Sequence, residues 1–558
     1  SPVITIDRER CIACQRCTAY SERIEQEQGL VMLNRGFHNE VNTFNNEPYD
    51  SRFSGNVIDI CPVGALTNTD FRFKARTWDL SNQDTLCAHC GCNCNITLST
   101  RLNEFMRIEA RPNDAVDDGW ICDKGRWGHH FVGSKNRVTA ARENSVGATK
   151  PTSFPNFPID APAEQAAEKV VETFKKIVDE HGPKSIGFIG SPYATNEENY
   201  LYQKMFRLLG TNNIDHKIYQ DTPGLPIDHY DIDQIENSNV VLLIASDPTE
   251  ELPILDLRLK KAVTGCGTRL ISLNDQVTAL DKYADLKLQY KIGSEALAVD
   301  SLAEGLAREL GESIEFSSKL DQTGISSDEM KLLVESVRSS MKICVVYNPA
   351  ALSGDAVLRV KRLLKIIAKI PTIECGAIPA APATNAVGAI DMGLTPDYYP
   401  GGVSVLDEAK VKELWGENAP TQAGWSALEM IEKAKSGELK ALWVHRSNLA
   451  VDFPGGTKIV DALKNLELLV VHDMLETETT RLAKIVLPSN GPGFDEGTTT
   501  NIGGRVQYRR AALETSNISD WKLVNVMLKK LGDETNYSRV AKVLEEISLK
   551  VPGYQEIN

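Results

Sequence analysis

Nine of the twelve cysteines in this 558-residue chain fall between positions 11 and 122, most of them two or three residues apart. The first group reads Cys11-Ile12-Ala13-Cys14-Gln15-Arg16-Cys17, and a fourth thiol follows far downstream at Cys61, directly before Pro62. Three thiols at two-residue gaps wrap one short loop around a cubane, and its fourth iron takes a thiolate from a remote Cys-Pro. Four thiolates can also hold zinc, but zinc ribbons use two separate Cys-x-x-Cys pairs, not three cysteines in a row. The first group therefore predicts a 4Fe–4S cluster on Cys11, Cys14, Cys17 and Cys61. Gly55 and Gly64 flank Cys61 and predict close backbone approach, with amides donating to cluster sulfurs.

The second group, Cys87-Ala88-His89-Cys90-Gly91-Cys92-Asn93-Cys94, offers four thiols, and Cys122 follows in Trp120-Ile121-Cys122-Asp123-Lys124-Gly125-Arg126. A second 4Fe–4S cluster on Cys87, Cys90, Cys122 and either Cys94 or Cys92 is predicted; spacing alone leaves that choice open. The thiol left over reads as a small buried hydrophobe. His89 reads as a neighbour of the cluster, and His129 and His130 as surface or interface residues. Two clusters on one chain mean single-electron transfer, with potentials set by burial and hydrogen bonds. Tight Cys-x-x-Cys steps in so long a chain argue against a disulfide scaffold and for reduced thiols.

Other chemistries find no support. The net charge of −15 argues against nucleic acid, which needs an excess of Lys and Arg. No run of about 18 apolar residues exists to span a membrane. No Gly-x-Gly-x-x-Gly follows a strand and no Walker-type loop occurs, so nucleotide chemistry is expected on a partner. Acidic pairs such as Glu250-Glu251 read as solvated or interface charges. Ser1 is not an initiator Met, which predicts processing, trimming or a longer parent polypeptide.

The elements that must hold these thiols change character along the chain. Residues 1–75 carry the first set and 76–135 the second; a polar, proline-bearing linker follows from about 134 to 161. Beyond it, strands predicted at 185–190, 239–245, 269–273, 343–347, 441–445 and 468–471 alternate with helices at 196–209, 256–263, 355–367 and 461–466. The first of these helices reads as amphipathic, with Tyr200, Met205 and Leu208 or Leu209 near one face. Such alternation predicts an α/β chain with parallel sheets covered on both faces by helices. The length suggests about three or four domains.

Cys11 to Cys17, the stretch Phe53-Ser54-Gly55-Asn56 running to Cys61-Pro62-Val63-Gly64, and Arg72 to Trp78 together resemble the large iron–sulfur subunit (the 75-kDa or G subunit) of respiratory complex I, the NADH–quinone oxidoreductase. The likeness covers most of the chain. Because mitochondrial relatives generally lack the second cysteine set, it implies a bacterial origin. Residues 78–510 also resemble the wider molybdopterin oxidoreductase superfamily at Cys122 to Arg126, Thr195 to Glu198, Gly210 to Asn213, Ser246-Asp247-Pro248, Thr477 to Pro488 and Gly497 to Gln507. The resemblance implies a small ferredoxin-like iron–sulfur domain (1–75), a second 4Fe–4S domain (76–135), a molybdopterin-oxidoreductase-like body (150–510) and a C-terminal helical segment (511–558). It favours Cys94 over Cys92 as the fourth ligand of the second cluster.

The implied function is an electron-transfer subunit without an active site of its own. It would pass electrons from a flavin- and NADH-binding subunit to the quinone-side iron–sulfur subunit, in a complex that translocates protons, on the cytoplasmic face of the bacterial inner membrane. Relatives carry a 2Fe–2S and a further 4Fe–4S cluster in about 200 residues ahead of this sequence. The runner-up is the catalytic subunit of a formate-dehydrogenase-type molybdenum enzyme. Two departures speak against molybdenum. Asp221 stands where such relatives place a metal-binding Cys or selenocysteine, and the Gly-x-Asn-Pro loop reads His445-Arg446-Ser447-Asn448-Leu449, bulky where the pterin needs room. The resemblance therefore implies a fold kept after its molybdenum cofactor was lost.

Overall fold

Val240–Ile244 and Ala441–His445 are buried along their whole length. A strand apolar on both faces belongs in the middle of a parallel sheet, and each of these runs lies inside a separate one. The computed structural model describes residues 1–144, 162–219, 221–311 and 319–555; Gln220, residues 556–558 of the expected C-terminal segment, and positions 145–161 of the expected linker lie outside the described residues. The chain gathers into two compact units, 1–133 with 226–382 and 502–504, and 134–225 with 383–501 and 505–558.

In the first unit, six parallel strands run in the order Asp228–His229, Glu374–Pro379, Lys342–Tyr347, Val240–Ile244, Arg269–Asn274 and Leu286–Gln289. The thiol-bearing segments fold as small antiparallel ribbons in the same unit. Ile4–Ile6 pairs with Leu66–Asn68, and Ser81–Leu86, Asn95–Arg101 and Glu104–Ala110 form a three-stranded sheet.

In the second unit, Ile214–Asp215, Ile186–Ile189, Ala441–His445, Leu468–Asp473 and Ile485–Pro488 are parallel, and Arg142–Glu143 closes one edge antiparallel. Successive side chains point to opposite faces. Phe188, Trp443 and Val470 enter one core, with the helices Ala163–His181 and Asp520–Lys530; Ile189, Val444 and Val471 enter the other, with Ala427–Ser436 and Thr457–Lys464.

The expected strands form within a residue or two of their predicted ends. The helix read at 461–466 begins earlier, at Thr457 behind Gly455 and Gly456, and the one read at 256–263 begins at Pro253. The helix Asn196–Leu208 departs from its pattern. Read as amphipathic, it is buried on nearly every side, because Asp520–Lys530, Val540–Lys550 and Gly497–Thr500 pack around it. Leu209 turns inward, and Leu208 faces out. Among the described residues, no helix is long and apolar enough to cross a membrane.

Candidate metal centres

The ribbon of Ile4–Ile6 and Leu66–Asn68 brings two distant thiol segments together, and Asp7 N donates to Ala65 O at 2.7 Å beside it. Between Cys11 and Cys17 the backbone turns left-handed twice, at Ala13 (φ 52°) and Gln15 (φ 64°). Neither residue is glycine, so surrounding structure must hold these turns, as it does at functional loops. Cys17 lies in the first turn of the helix Arg16–Tyr20. Cys61 ends the helix Asn56–Ile60, its N–H donating to Val57 O. Gly64 makes the turn after Cys61-Pro62 at φ 65°. The thiols of Cys11, Cys14, Cys17 and Cys61 line one pocket with Ile6, Val41 and Leu66. Cys17 is buried, and burial pushes its thiol up; Cys14 is exposed, as are Ile12 and Val63 beside it.

The second group folds as the loop of a hairpin. Leu86 pairs with Asn95, and Cys87 N donates to Cys94 O at 2.9 Å, so Cys87 and Cys94 face each other at the loop's base. Cys122 caps the short helix Asp123–Trp127, its sulfur accepting from Gly125 N at 3.4 Å. Cys87, Cys90, Cys94 and Cys122 are all buried. Burial, and then the charge of Cys90, hold Cys87 and Cys94 well above the usual thiol range and Cys122 up to about 12. Four buried thiols this close ionise together only around a cationic core. The donor set therefore fits an iron–sulfur cluster.

Cys92 is buried beside them. Its thiol is raised because it donates a hydrogen bond to Cys90, and burial adds to this; Cys90 is lowered by the same bond. Burial pushes His89 down to about 4, so it is neutral at physiological pH, and a Cβ on Gly128 would stand 2.7 Å from its ring. His129 stacks on Phe105, and His130 lies 2.9 Å from Asp70. Glu250, read as a solvated or interface charge, is exposed and pairs with Arg52.

Among the described residues of the second unit, the reversal of the sheet's strand order marks a place for a pterin. In open parallel sheets, ligands sit beyond the carboxyl ends of the strands where the order reverses, here between Ile186–Ile189 and Ala441–His445. That place is filled by Arg446. Its backbone is left-handed (φ 43°), keeping the turn that a glycine makes easily. Its guanidinium is caged: Nη2 lies 3.2 Å from Glu198 Oε1 and 2.8 Å from Asp520 Oδ2, Nη1 3.1 Å from Asp495 Oδ2, and Nε donates to Ser489 Oγ at 2.7 Å. His445 Nε2 meets Asp520 at 3.0 Å, and Arg509 meets Asp495 at 2.8 Å. These residues do not fit a pterin in this crevice. Asp221 is half-buried, its Oδ1 accepting from Thr222 N at 2.7 Å.

The partners of Arg446 are not legible in the sequence, because Glu198, Asp495 and Asp520 are far apart in the chain and none lies in a ligand-like spacing. The bulk at 445–446 was the available signal.

Comparison with known proteins matches three stretches of the chain. Residues 164–530 match the molybdopterin oxidoreductase family. Residues 1–67 match the ferredoxin-like domain of NADH-quinone oxidoreductase subunit 3, and 81–134 the molybdopterin oxidoreductase Fe4S4 domain. The chain is 28% identical over its full length to the alpha subunit of the NADPH-Fe(3+) oxidoreductase of Geobacter sulfurreducens, covering 68% of that protein. It is also 28% identical over its full length to the second G-type subunit of the NADH-quinone oxidoreductase of Rhizobium meliloti, covering 66%. It thus spans about two thirds of the length of these curated relatives. Acetylene hydratase from Pelobacter acetylenicus shares the fold, with a TM-score of 0.60 at 16% identity over 81% of this chain and 69% of that one.

Proposed function

Since the chain belongs to the molybdopterin oxidoreductase family and joins to it a ferredoxin-like domain, we propose that it is an electron-transfer subunit of an NADH–quinone oxidoreductase. A 4Fe–4S cluster accepts and releases one electron at a time. Cys11, Cys14, Cys17 and Cys61 hold one, and Cys87, Cys90, Cys94 and Cys122 hold the other. Cys92 keeps its proton and supports Cys90 from outside the ligand set. The sequence divisions at 1–75, 76–135, 150–510 and 511–558 mark the two cluster domains, the α/β body and the terminal helices.

The observation that carries this reading is the first pocket, lined by four thiols of which Cys14 is exposed, with exposed Ile12 and Val63 lining the same pocket. Such a site is open to a redox partner. The partners are a flavin- and NADH-binding subunit and a quinone-side iron–sulfur subunit, in a proton-translocating complex held at the cytoplasmic face of a bacterial membrane by other subunits. A further 2Fe–2S and 4Fe–4S cluster belong to a preceding part of the parent protein. The cage around Arg446 supports the absence of a molybdenum cofactor, so this chain carries no catalytic site of its own.

The test is metal analysis and electron paramagnetic resonance on anaerobically prepared protein. About eight irons and no molybdenum are expected per chain, with NADH oxidation only after the flavin subunit is added. Molybdenum near one per chain with formate oxidation would overturn the reading in favour of a formate-dehydrogenase-type enzyme. Four irons with one zinc would remove the second cluster.

A further inference from the structure

We propose that the loop 71–78, with the tip of the hairpin beside it, is a docking surface for a short acidic stretch on another subunit of the assembly. This deepens the electron-transfer reading above, since it says where on the chain one partner is held.

The loop joins Leu66–Asn68 to Ser81–Leu86 and reads Phe71-Arg72-Phe73-Lys74-Ala75-Arg76-Thr77-Trp78. Three cations and three aromatic rings fall within eight residues, with no acid among them, in a chain whose net charge is −15. Phe73 is 90% exposed and Trp78 76%. The backbone accounts for Phe73. Its φ is 67°, a left-handed turn that bulky side chains avoid. The turn is pinned on both sides: Arg72 N donates to Asn68 O at 2.8 Å, Lys74 N to Phe71 O at 3.0 Å, and Arg101 Nη1 to Lys74 O at 3.3 Å. Strain held in this way marks loops with a function. Leu102, next to Arg101 at the tip of the hairpin of Asn95–Arg101 and Glu104–Ala110, adds a third apolar side chain, 87% exposed.

The charges say what covers these side chains. Arg72 lies 3.9 Å from Asp7, but Lys74, Arg76 and Arg101 pair with no carboxylate among the described residues. The guanidinium of Arg72 lies 4.9 Å from the Phe73 ring centre, and that of Arg76 5.5 Å from the Trp78 ring centre. Exposed aromatic rings set beside arginines are the composition of interface anchors. Exposed Asp79 bounds the loop on one side. A nucleic acid or an anionic bilayer would extend past the patch into the field of a chain at −15, whereas a short acidic stretch meets the patch alone. The surface therefore fits carboxylates for Lys74, Arg76 and Arg101, and apolar side chains to cover Phe73, Trp78 and Leu102.

The test places the photo-cross-linker p-benzoylphenylalanine at position 73, and separately at 78, in the chain purified within its native assembly. On irradiation both positions are expected to attach to one segment of another subunit, rich in Asp and Glu by mass spectrometry. The yield should fall as salt is raised. Lys74→Glu with Arg76→Glu should cut it about tenfold, as for the loss of an interface anchor, and lysines in place of the attached segment's carboxylates should restore it. Attachment only within the chain, to a second copy, to lipid or to nucleic acid would overturn the proposal, as would a yield indifferent to the charge reversal. Phe73→Gly, with the cross-linker at 78, separates docking from folding. It relieves the left-handed turn, so the urea midpoint should hold or rise while the yield falls several-fold; an unchanged yield would overturn the surface. Iron and molybdenum are measured on the same samples, so the electron-transfer reading is decided by metal content and the docking surface by the cross-links.

Discussion

Asp59 and Arg126 meet as a two-pronged ion pair, Nη1 to Oδ1 at 3.2 Å and Nη2 to Oδ2 at 2.5 Å, with Arg126 buried and Asp59 at the edge of solvent. Arg126 sits one turn after Cys122, and Asp59 two residues before Cys61. Replacing Asp59 by Asn removes the charge that compensates the buried guanidinium and one of its two acceptor oxygens, leaving neutral acceptors such as Ile108 O and Asn56 Oδ1. A loss of about 2 kcal/mol is expected, the low end for a broken buried pair because Asp59 is partly solvated. The urea midpoint of the anaerobic protein measures it; an unchanged midpoint would show that the pair adds nothing.

Cys92→Ala is expected to keep about eight irons, while Cys94→Ala loses a cluster. Removing the thiol that donates to Cys90 takes away a hydrogen bond that favours the more negative, reduced state. The second cluster's reduction potential should become more negative. Redox titration followed by paramagnetic resonance reads both. Loss of half the iron in Cys92→Ala would exchange the roles of the two cysteines.

Glu197 is wholly buried, its Oε2 accepting from Thr498 N at 2.7 Å, and burial holds its carboxyl up to about 7. The folded chain keeps a proton there that the unfolded chain gives up, so stability falls as pH rises from about 4.5 to 7, by roughly 3 kcal/mol at most. Glu197→Gln should remove that slope. The difference in urea midpoint between variant and parent, measured at pH 5 and again above 7, should widen in the variant's favour with rising pH. A constant difference would refute the buried proton.

Arg446→Met keeps the length of the side chain and removes the cation that Glu198, Asp495 and Asp520 share, leaving only Asp495 with another arginine, Arg509. A loss of about 3–5 kcal/mol is expected, seen as earlier unfolding of the second unit in urea. A neutral result would mean that the crevice tolerates an opening, as a cofactor site would.

The thiols were legible because metal chemistry fixes residue type and spacing within a few positions. Cys87 could be proposed as a ligand from its spacing alone, whereas spacing left Cys92 and Cys94 open and the family resemblance chose between them. The structure adds the hairpin that sets Cys87 and Cys94 face to face. The buried strands were legible for a similar reason, since Val240–Ile244 carries its burial in its own composition. What escaped depends on distant partners. The outer face of Asn196–Leu208 is polar by sequence, and only the packing of 497–500, 520–530 and 540–550 buries it. Ser54-Gly55-Asn56 was visible as a family signature, but its meaning lies in Ile121 and Asp123, some 65 residues away.

The first unit takes its chain from both ends of a long excursion, and its sheet is complete only once Glu374–Pro379 exists. On a ribosome adding about 5–20 residues per second, about 13–50 s pass between the appearance of Cys122 and that strand. Several supports of the second thiol loop come from the late segment: Gly91 N donates to Pro382 O, and Arg258 reaches Asp114 O. During that interval the nascent chain presents the five thiols of the second group before the segments that enclose them exist. The burial of Cys87, Cys90, Cys94 and Cys122 is therefore a late event in the making of this protein.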